Sequence, residues 1–287
     1  MIEQGFPALY RSADKLSMDS QKHFFRILLI HLCVLVLAAV FSIIDAFGKW
    51  MSTLQLVALI AAFFCSIYLW TVRPDRYWYA GRAVAESIKT ITWRYVSRAE
   101  PFQSEDNVSK NDFKQSIKMI FEQNQDVCSK LTEHTNEEQF TDVMEQMRQS
   151  SLDVRKRNYS ENRIKNQRNW YAKKASFNKK MANIFFFSLV GANFIGLMLA
   201  ILKVANVNPI YLPVDVFIAL AASLLSWIQA KRFTELSASY ALTAHEIGFI
   251  NEQSATINSE EGFSKFVGDA ENAFSREHTQ WAARRDV

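Results

Sequence analysis

Four long apolar blocks constrain this chain more than any other feature of its sequence. They occupy residues 27–44, 54–72, 184–202 and 211–230. The hydrocarbon core of a bilayer is roughly 30 Å thick, and about 20 helical residues cross it with every backbone amide hydrogen bonded inside the helix. The first three blocks contain no Asp, Glu, Lys or Arg. We therefore predict four membrane-spanning helices.

Three polar side chains inside or beside these blocks are candidates for lining a pore. They are His31 in the first block, Asn193 in the third and Asp215 near the start of the fourth, which also contains Pro213. A polar group in hydrocarbon is costly and needs a partner or water. Each of the three therefore either lines a pore or is satisfied by a neighbouring helix or at the membrane interface.

The sequence outside the apolar blocks lacks the signals of β-strands, which favours an all-α membrane protein with two transmembrane helical hairpins and long cytoplasmic helices. Only eight glycines and five prolines punctuate the chain, and we find no alternating apolar runs joined by hairpin turns. The predicted segments are an N-terminal segment at 1–26, a hairpin at 27–72, a post-membrane helix at 73–104, a helical region with a basic juxtamembrane helix at 105–183, a second hairpin at 184–230 and C-terminal helices at 231–287.

The distribution of Lys and Arg predicts the orientation. Lys22 and Arg26 precede the first span and Arg73 follows the second, whereas the turn between them has only Lys49. The second hairpin repeats this arrangement. Because basic residues near span ends stay on the cytoplasmic side, we expect both termini and the central segment to be cytoplasmic.

The two halves of the sequence resemble each other as a degenerate internal repeat. Each hairpin precedes a basic-aromatic pair, Arg76-Tyr77 in the first half and Arg232-Phe233 in the second, followed by an alanine-rich helix. No proline or glycine interrupts residues 137–190, which predicts one long helix running into the third span.

The stretch 155–180 contains ten Lys or Arg residues and the single acid Glu161. One interpretation is a positively charged surface that draws anions, anionic lipid headgroups or a nucleotide toward the membrane. The other is that these charges fix the orientation and solvate a long helix. The candidate contacts for an anion or lipid are Arg163, Arg168, Lys173, Lys174, Lys179 and Lys180.

Sequence signatures of catalysis do not stand out. We find no phosphate-binding glycine-rich loop, no nucleophile elbow and no HExxH pattern, and the five histidines are spread over the chain. We therefore expect no enzymatic activity, no metal site and no cofactor. No nucleic-acid-binding module is recognisable either, so a nucleic-acid partner is not expected.

A series of short motifs connects the chain to a known family. In the first half they are Arg76-Tyr77-Trp78-Tyr79, Arg82-Ala83, Ala85-Glu86-Ser87, Thr92-Trp93-Arg94-Tyr95 and Pro101-Phe102. In the second half they are Asn162-Arg163, Trp170-Tyr171, Lys174-Ala175, Trp227, Tyr240, Glu246 and the ending Ser275-Arg276-Glu277-His278-Thr279 with Trp281. Together these motifs resemble SLATT proteins, the SMODS and SLOG-associating two-TM effector domains, in a tandem form with four spans.

This resemblance supplies candidates for gating or assembly but no known functional residues. The candidates are Arg76, Trp78, Arg82, Glu86, Trp93, Arg94, Trp170, Tyr171, Trp227, Tyr240, Glu246, Arg276, Glu277, His278 and Trp281. Arg82 and Glu86 are four residues apart, which predicts an exposed ion pair along a helix. We also expect Trp78, Trp93 and Tyr95 to pack against the matching helix after the fourth span.

The resemblance implies an effector in the bacterial inner membrane that serves antiphage defence and arrests the infected cell by forming an ion-conducting pore. It also implies a homo-oligomer in the lipid bilayer, activated by a nucleotide-signalling partner protein or a cyclic-nucleotide-type ligand. The residues leave two alternatives open. One is a membrane-anchored helical scaffold without a pore, and the other is an ion-coupled transporter that uses His31 and Asp215.

Overall fold

The computed structural model describes residues 5–44, 49–205, 212–254 and 257–283, and over these residues the protein is all-α, as predicted. In chain order the helices are α1 (Ala8–Ile44), α2 (Lys49–Val72), α3 (Pro74–Val96), α4 (Asp106–Gln123), α5 (Gln125–Cys128), α6 (Asp142–Gln149) and α7 (Leu152–Tyr159). A π-helical turn (Ser160–Lys165) leads into α8 (Asn166–Val204), followed by α9 (Val214–Lys231), α10 (Phe233–Gln253) and α11 (Glu260–Ala283).

The chain divides into two compact units. The hairpin unit comprises residues 22–74 and 173–241, and the helical unit comprises residues 1–21, 75–172 and 242–287. The predicted spans lie on α1, α2, α8 and α9, each long and apolar enough to cross a bilayer. The fourth span begins at Val214, directly after Pro213, and the predicted start at Tyr211 lies outside the described residues.

Small side chains bring the helices of the hairpin unit together. Ala58 and Ala62 on α2, Ala192 on α8 and Ala221 on α9 are among the few buried residues of this unit. A Cβ atom added to Gly196 of α8 would lie 3.4 Å from Cβ of Phe217 on α9. Close approach at small residues is how helices associate in lipid, where hydrophobicity no longer drives association.

The predicted uninterrupted helix over 137–190 is wrong. α6 ends at Gln149, and Ser150 and Ser151 both adopt extended backbone conformations before α7 begins. The Ser150 hydroxyl donates a 2.6 Å hydrogen bond to the carbonyl of Met147. Serine competes in this way with the helical hydrogen-bond ladder, so a break occurs without proline or glycine. The helix that enters the third span therefore begins at Leu152.

Each hairpin ends at an arginine in the left-handed backbone conformation. Arg73 (φ 46°) separates α2 from α3, and Arg232 (φ 51°) separates α9 from α10. This conformation is uncommon for residues other than glycine and asparagine. The equivalent of Arg232 is thus Arg73, and the predicted match with Arg76 was wrong by three residues, because Arg76 lies in the first turn of α3.

Aromatic side chains fill the core of the helical unit. The Trp93 ring lies 6.0 Å from Phe6 and 5.7 Å from Tyr159, whereas Tyr95 packs at 4.7 Å against Phe113. These partners belong to the N-terminal segment, α7 and α4. The aromatic packing predicted for Trp93 and Tyr95 against the helix after the fourth span is therefore found elsewhere.

Candidate functional site

The most unusual feature of the helical unit is a buried carboxylate, Glu271 of α11, which is 0 % exposed. Its Oε1 accepts hydrogen bonds from the Tyr159 hydroxyl at 2.9 Å and from Arg163 Nε at 2.8 Å. Its Oε2 accepts from Arg163 Nη2 at 2.7 Å and from the Thr90 hydroxyl at 3.1 Å. One carboxylate therefore joins α3, α7, the π-helical turn and α11. We call these four residues the Glu271 cluster.

The electrostatics of this cluster favour the charged pair. Burial alone would lower the pKa of Arg163, but attraction and hydrogen bonds from Glu271 raise it above that of free arginine. Burial first, and then the charge of Glu271, raises the pKa of Tyr159 well above its usual value. Arg163 thus keeps its positive charge and Tyr159 keeps its phenolic proton over the ordinary pH range. A bidentate arginine–carboxylate pair of this kind is also geometrically specific.

The geometry of Arg163 leaves one end of its guanidinium group in apolar surroundings. Its buried Nη1 atom has no hydrogen-bond partner among the described residues. The guanidinium carbon lies 4.7 Å from the centre of the Phe274 ring, a favourable cation–π distance. Removing Glu271 would therefore leave a buried cation held by an aromatic face and little else.

A second charged group lies on α3. Glu86 is buried, and it accepts from Arg82 at 2.7 Å and lies 3.6 Å from Lys89. Arg82 also reaches Asp14 of α1 at 3.3 Å. The predicted pairing of Arg82 with Glu86 is present, but the pair is not the exposed surface pair that we expected. Burial lowers the pKa of Lys89, which Glu86 opposes.

Arg148 of α6 holds the segment that follows α3. It is 1 % exposed, and its Nη1 donates to the carbonyls of Tyr95 and Phe102 at 2.8 and 2.9 Å. Its Nη2 donates to the carbonyl of Ser104 at 3.1 Å, and its Nε donates to Asp106 at 2.9 Å. These backbone carbonyls lie beyond or at the end of a helix, where the helix itself offers them no donor. One arginine therefore satisfies them.

Helix α11 is fastened to α3 and to the loop after it at further points. Arg94 Nη2 donates to Asn272 Oδ1 at 2.7 Å, and the Ser264 hydroxyl accepts from the backbone amide of Glu100 at 3.1 Å. Arg155 pairs with Glu260 at the start of α11. The first and second halves of the sequence thus meet inside the helical unit through specific polar contacts.

The predicted gating or assembly residues that the structure describes are distributed over both units. In the helical unit Trp78, Trp93 and Tyr171 are buried, Trp170 and Glu246 are exposed, and Arg76 is exposed beside Asp126 at 3.6 Å. In the hairpin unit Trp227 contacts Phe25 at 5.8 Å, and Tyr240 is half-buried. The side chains of Arg276, Glu277, His278 and Trp281 lie outside the described residues.

The three polar residues predicted in or beside the spans are also separate. His31 Nδ1 is 3.1 Å from the carbonyl of Ala62, which joins α1 to α2. Asn193 is exposed and donates to the carbonyl of Leu189 in its own helix at 3.0 Å. Asp215 is exposed in the first turn of α9, where a negative charge is favourable.

The basic stretch divides into two kinds of residue. Arg163 is 2 % exposed and paired with Glu271, so its prediction as a contact for lipid or a free anion is wrong. Arg168 and the lysines are exposed: Lys173, Lys174, Lys179 and Lys180. Sequence reasoning missed Glu271 itself. The signal was present, because this acid lies on the same face of α11 as the buried Phe263, Val267 and Phe274.

Comparison with known proteins agrees with the internal repeat predicted from the sequence. Residues 7–156 match the family model SLATT_3, described as SMODS and SLOG-associating 2TM effector domain 3. Residues 159–281 match SLATT_1, described as SMODS and SLOG-associating 2TM effector domain 1. No curated protein and no solved structure matches the chain significantly. The chain thus belongs to the SLATT family, carrying two of its domains in tandem, and SLATT domains are associated with bacterial conflict systems and membrane effectors.

Proposed function

We propose that this protein is an oligomeric effector of a bacterial antiphage defence system that permeabilises the inner membrane when a cytoplasmic nucleotide or partner signal reaches its helical unit. The observation that carries the proposal is how little of each span the protomer buries, between 6 and 11 % of the residues in each apolar window. Surfaces this exposed face lipid or other copies of the chain. The proposal assigns the protein no catalytic activity.

Asn193 supports assembly through the third span. Its amide is exposed in the middle of α8, and its one hydrogen bond within the described part of the chain goes to its own helix. The amide oxygen and the second amide hydrogen would be costly to leave in hydrocarbon. A neighbouring protomer or a water-filled lumen would satisfy them, so the Asn193 face of α8 is the proposed assembly or pore surface.

The Glu271 cluster supports control from the helical unit. The polar contacts of Glu271 stabilise the conformation in which α11 is docked. A ligand shifts the equilibrium between a docked and a released conformation if it binds one of them more tightly. Helix α11 is fastened to α3 by specific polar contacts rather than by apolar packing alone. A signal that binds better to a state with α11 released would therefore change the helical unit in a defined way.

The experiment is expression in bacteria loaded with a potential-sensitive dye, with the cognate signal supplied. We expect depolarisation and growth arrest for the natural chain and a loss of both for Asn193→Leu. The matched control is Ser188→Ala. The Ser188 hydroxyl also bonds to its own helix, at 2.9 Å to the carbonyl of Ile184, and should be dispensable. Unchanged potential and growth at high expression, with the signal present, would count heavily against a pore.

A membrane-anchored scaffold is the second candidate, and the interlocked polar core of the helical unit favours it. If the hairpins only anchor that unit, replacing residues 27–72 and 184–230 by unrelated transmembrane hairpins preserves activity in cells. If the hairpins permeabilise the membrane, the same replacement abolishes activity while membrane localisation, followed by fractionation, is retained.

A further inference from the structure

An aromatic and basic cluster lies at one end of the hairpin unit. The ammonium group of Lys231, the last residue of α9, is 3.3 Å from the centre of the Phe25 ring on α1 and 4.9 Å from the centre of the Trp227 ring. The two rings meet edge to face at 5.8 Å. Two aromatic rings, one from each hairpin, thus hold one cation by cation–π contact.

Among the described residues, Lys231 forms no ion pair with an acid. Lys174 of α8 is a second cation close to it, and the two charges repel each other. A half-buried cation beside a second cation is unfavourable unless an anion joins them. The aromatic rings orient the ammonium group but bring no negative charge.

The surroundings extend this excess of positive charge. The further cationic residues at this end of the hairpin unit include Arg26, Lys173, Lys179 and Lys180. Of the two acids among the described residues of the hairpin unit, Glu235 is held by Arg232 at 2.8 Å. Asp215 lies at the opposite end of α9. The cluster is therefore suited to an anion supplied from outside the chain.

We propose that Phe25, Trp227, Lys231 and Lys174 form a headgroup site for an anionic phospholipid. Lys231 directly follows the fourth apolar block, which places its ammonium group at the depth where lipid phosphates lie. Tryptophan is typical of that interface, and basic pockets between spans bind anionic headgroups. The phosphate would accept hydrogen bonds from the two ammonium groups, while the acyl chains lie along exposed apolar side chains of the helices. The site requires only that the hairpins lie in a bilayer, so it stands whether or not they conduct.

The test is native mass spectrometry of the full chain in detergent with phosphatidylglycerol and phosphatidylcholine offered together. We expect the natural chain to retain phosphatidylglycerol preferentially. In the double variant Lys174→Gln/Lys231→Gln, the Kd for phosphatidylglycerol should rise about tenfold. Lys231→Arg keeps the charge and should retain the lipid. The matched control is Lys203→Gln, which removes the same charge near the other end of α8 and should change nothing.

Three results would overturn the site. Equal retention of the two lipids would contradict preference for an anionic headgroup. If Lys203→Gln lowered the affinity as much as the double variant does, the lipid would be attracted by the net charge of the protein and not by this site. Displacement of the lipid by millimolar inorganic phosphate would show a site for free anions instead. Far-UV circular dichroism and size-exclusion chromatography of each variant confirm that it is folded before binding is compared.

Discussion

The two units of this protein use opposite chemistry to hold their helices together. The helical unit contains fully buried charges, with Glu271, Arg163 and Arg148 all at most 2 % exposed. The hairpin unit has an apolar interior whose buried positions include alanines, and its polar residues largely bond within their own hairpin. Where water is the surrounding solvent, buried polar contacts select one arrangement of helices. Where lipid surrounds the helices, close packing at small residues does so.

The largest effect should come from breaking the Glu271 cluster. We expect Glu271→Ala to destabilise the helical unit by about 3 to 5 kcal/mol, because it leaves the buried Arg163 cation unpaired. The measurement is thermal or chemical unfolding of the purified chain in detergent. Arg163→Met/Glu271→Leu should recover much of the loss, since it removes both charges. The control is Glu261→Ala on the exposed face of α11, whose free energy of unfolding should stay within about 0.5 kcal/mol of that of the natural chain. If Glu271→Ala and Glu261→Ala lowered the free energy of unfolding equally, the buried charge would not stabilise the helical unit as proposed.

Arg148→Ala should follow, with a loss of about 3 kcal/mol. The change removes four hydrogen bonds and strands the carbonyls of Tyr95, Phe102 and Ser104, each of which costs about 1 to 3 kcal/mol if it stays dry. Unfolding by denaturant measures the loss, and Arg157→Ala, at an exposed arginine of α7, is the comparison. A cost no greater than that of Arg157→Ala would mean that water replaces the guanidinium group.

Alkaline pH should weaken the helical unit through Tyr95. Burial, opposed by the adjacent Arg148, raises the pKa of Tyr95 from 10.0 to about 12. Between these values the unfolded chain loses the phenolic proton and the folded chain keeps it, so stability is full below pH 10 and falls as the pH rises toward 12. The fall should be on the order of 2 kcal/mol and smaller in Tyr95→Phe. Urea unfolding at several pH values across this range measures the free energy of unfolding. An identical fall of that free energy with pH in the natural chain and in Tyr95→Phe would refute the assignment to Tyr95.

The smallest effect should arise in the hairpin unit, at Gly196. Leucine there would push α8 away from Phe217, at a cost of about 1 to 2 kcal/mol. Gly191→Leu is the matched control, since a Cβ at that position would meet no side chain and no neighbouring helix within 4 Å. Disulfide cross-linking between cysteines placed on α8 and α9 reports the separation. Equal behaviour of the two variants would mean that small residues do not set the packing of this hairpin.

The sequence predicted most of the hairpin unit. Length and hydropathy locate a span without knowledge of its partners, because each apolar helix satisfies its own backbone in lipid. The tandem organisation was also predicted, from motifs that recur after each hairpin, and the family comparison confirms it. Two local predictions failed. One was the match between Arg76 and Arg232, and the other was the uninterrupted helix through Ser150, since a serine hydroxyl that competes for backbone hydrogen bonds leaves no strong sequence pattern.

The candidate site could be predicted only in part. The pair of Arg82 and Glu86 follows from their spacing on one helix, but their burial depends on α1. Arg163 and Glu271 are separated by 108 residues, and a single sequence does not show which of many arginines meets which acid. Glu271 could still have been suspected as an acid on an apolar helix face. Its partners could not, because they lie on three other segments that only the fold brings together.

The left-handed arginines at the end of each hairpin have a consequence for how the protein can move. Glycine would adopt this conformation with no steric cost, yet in both halves the position carries a side chain that resists entry into hydrocarbon. The same residue therefore ends the helix and marks how far it can slide into the bilayer. Sliding of a span along the membrane normal would therefore be opposed at Arg73 and Arg232, so that each arginine acts as a stop for its own hairpin.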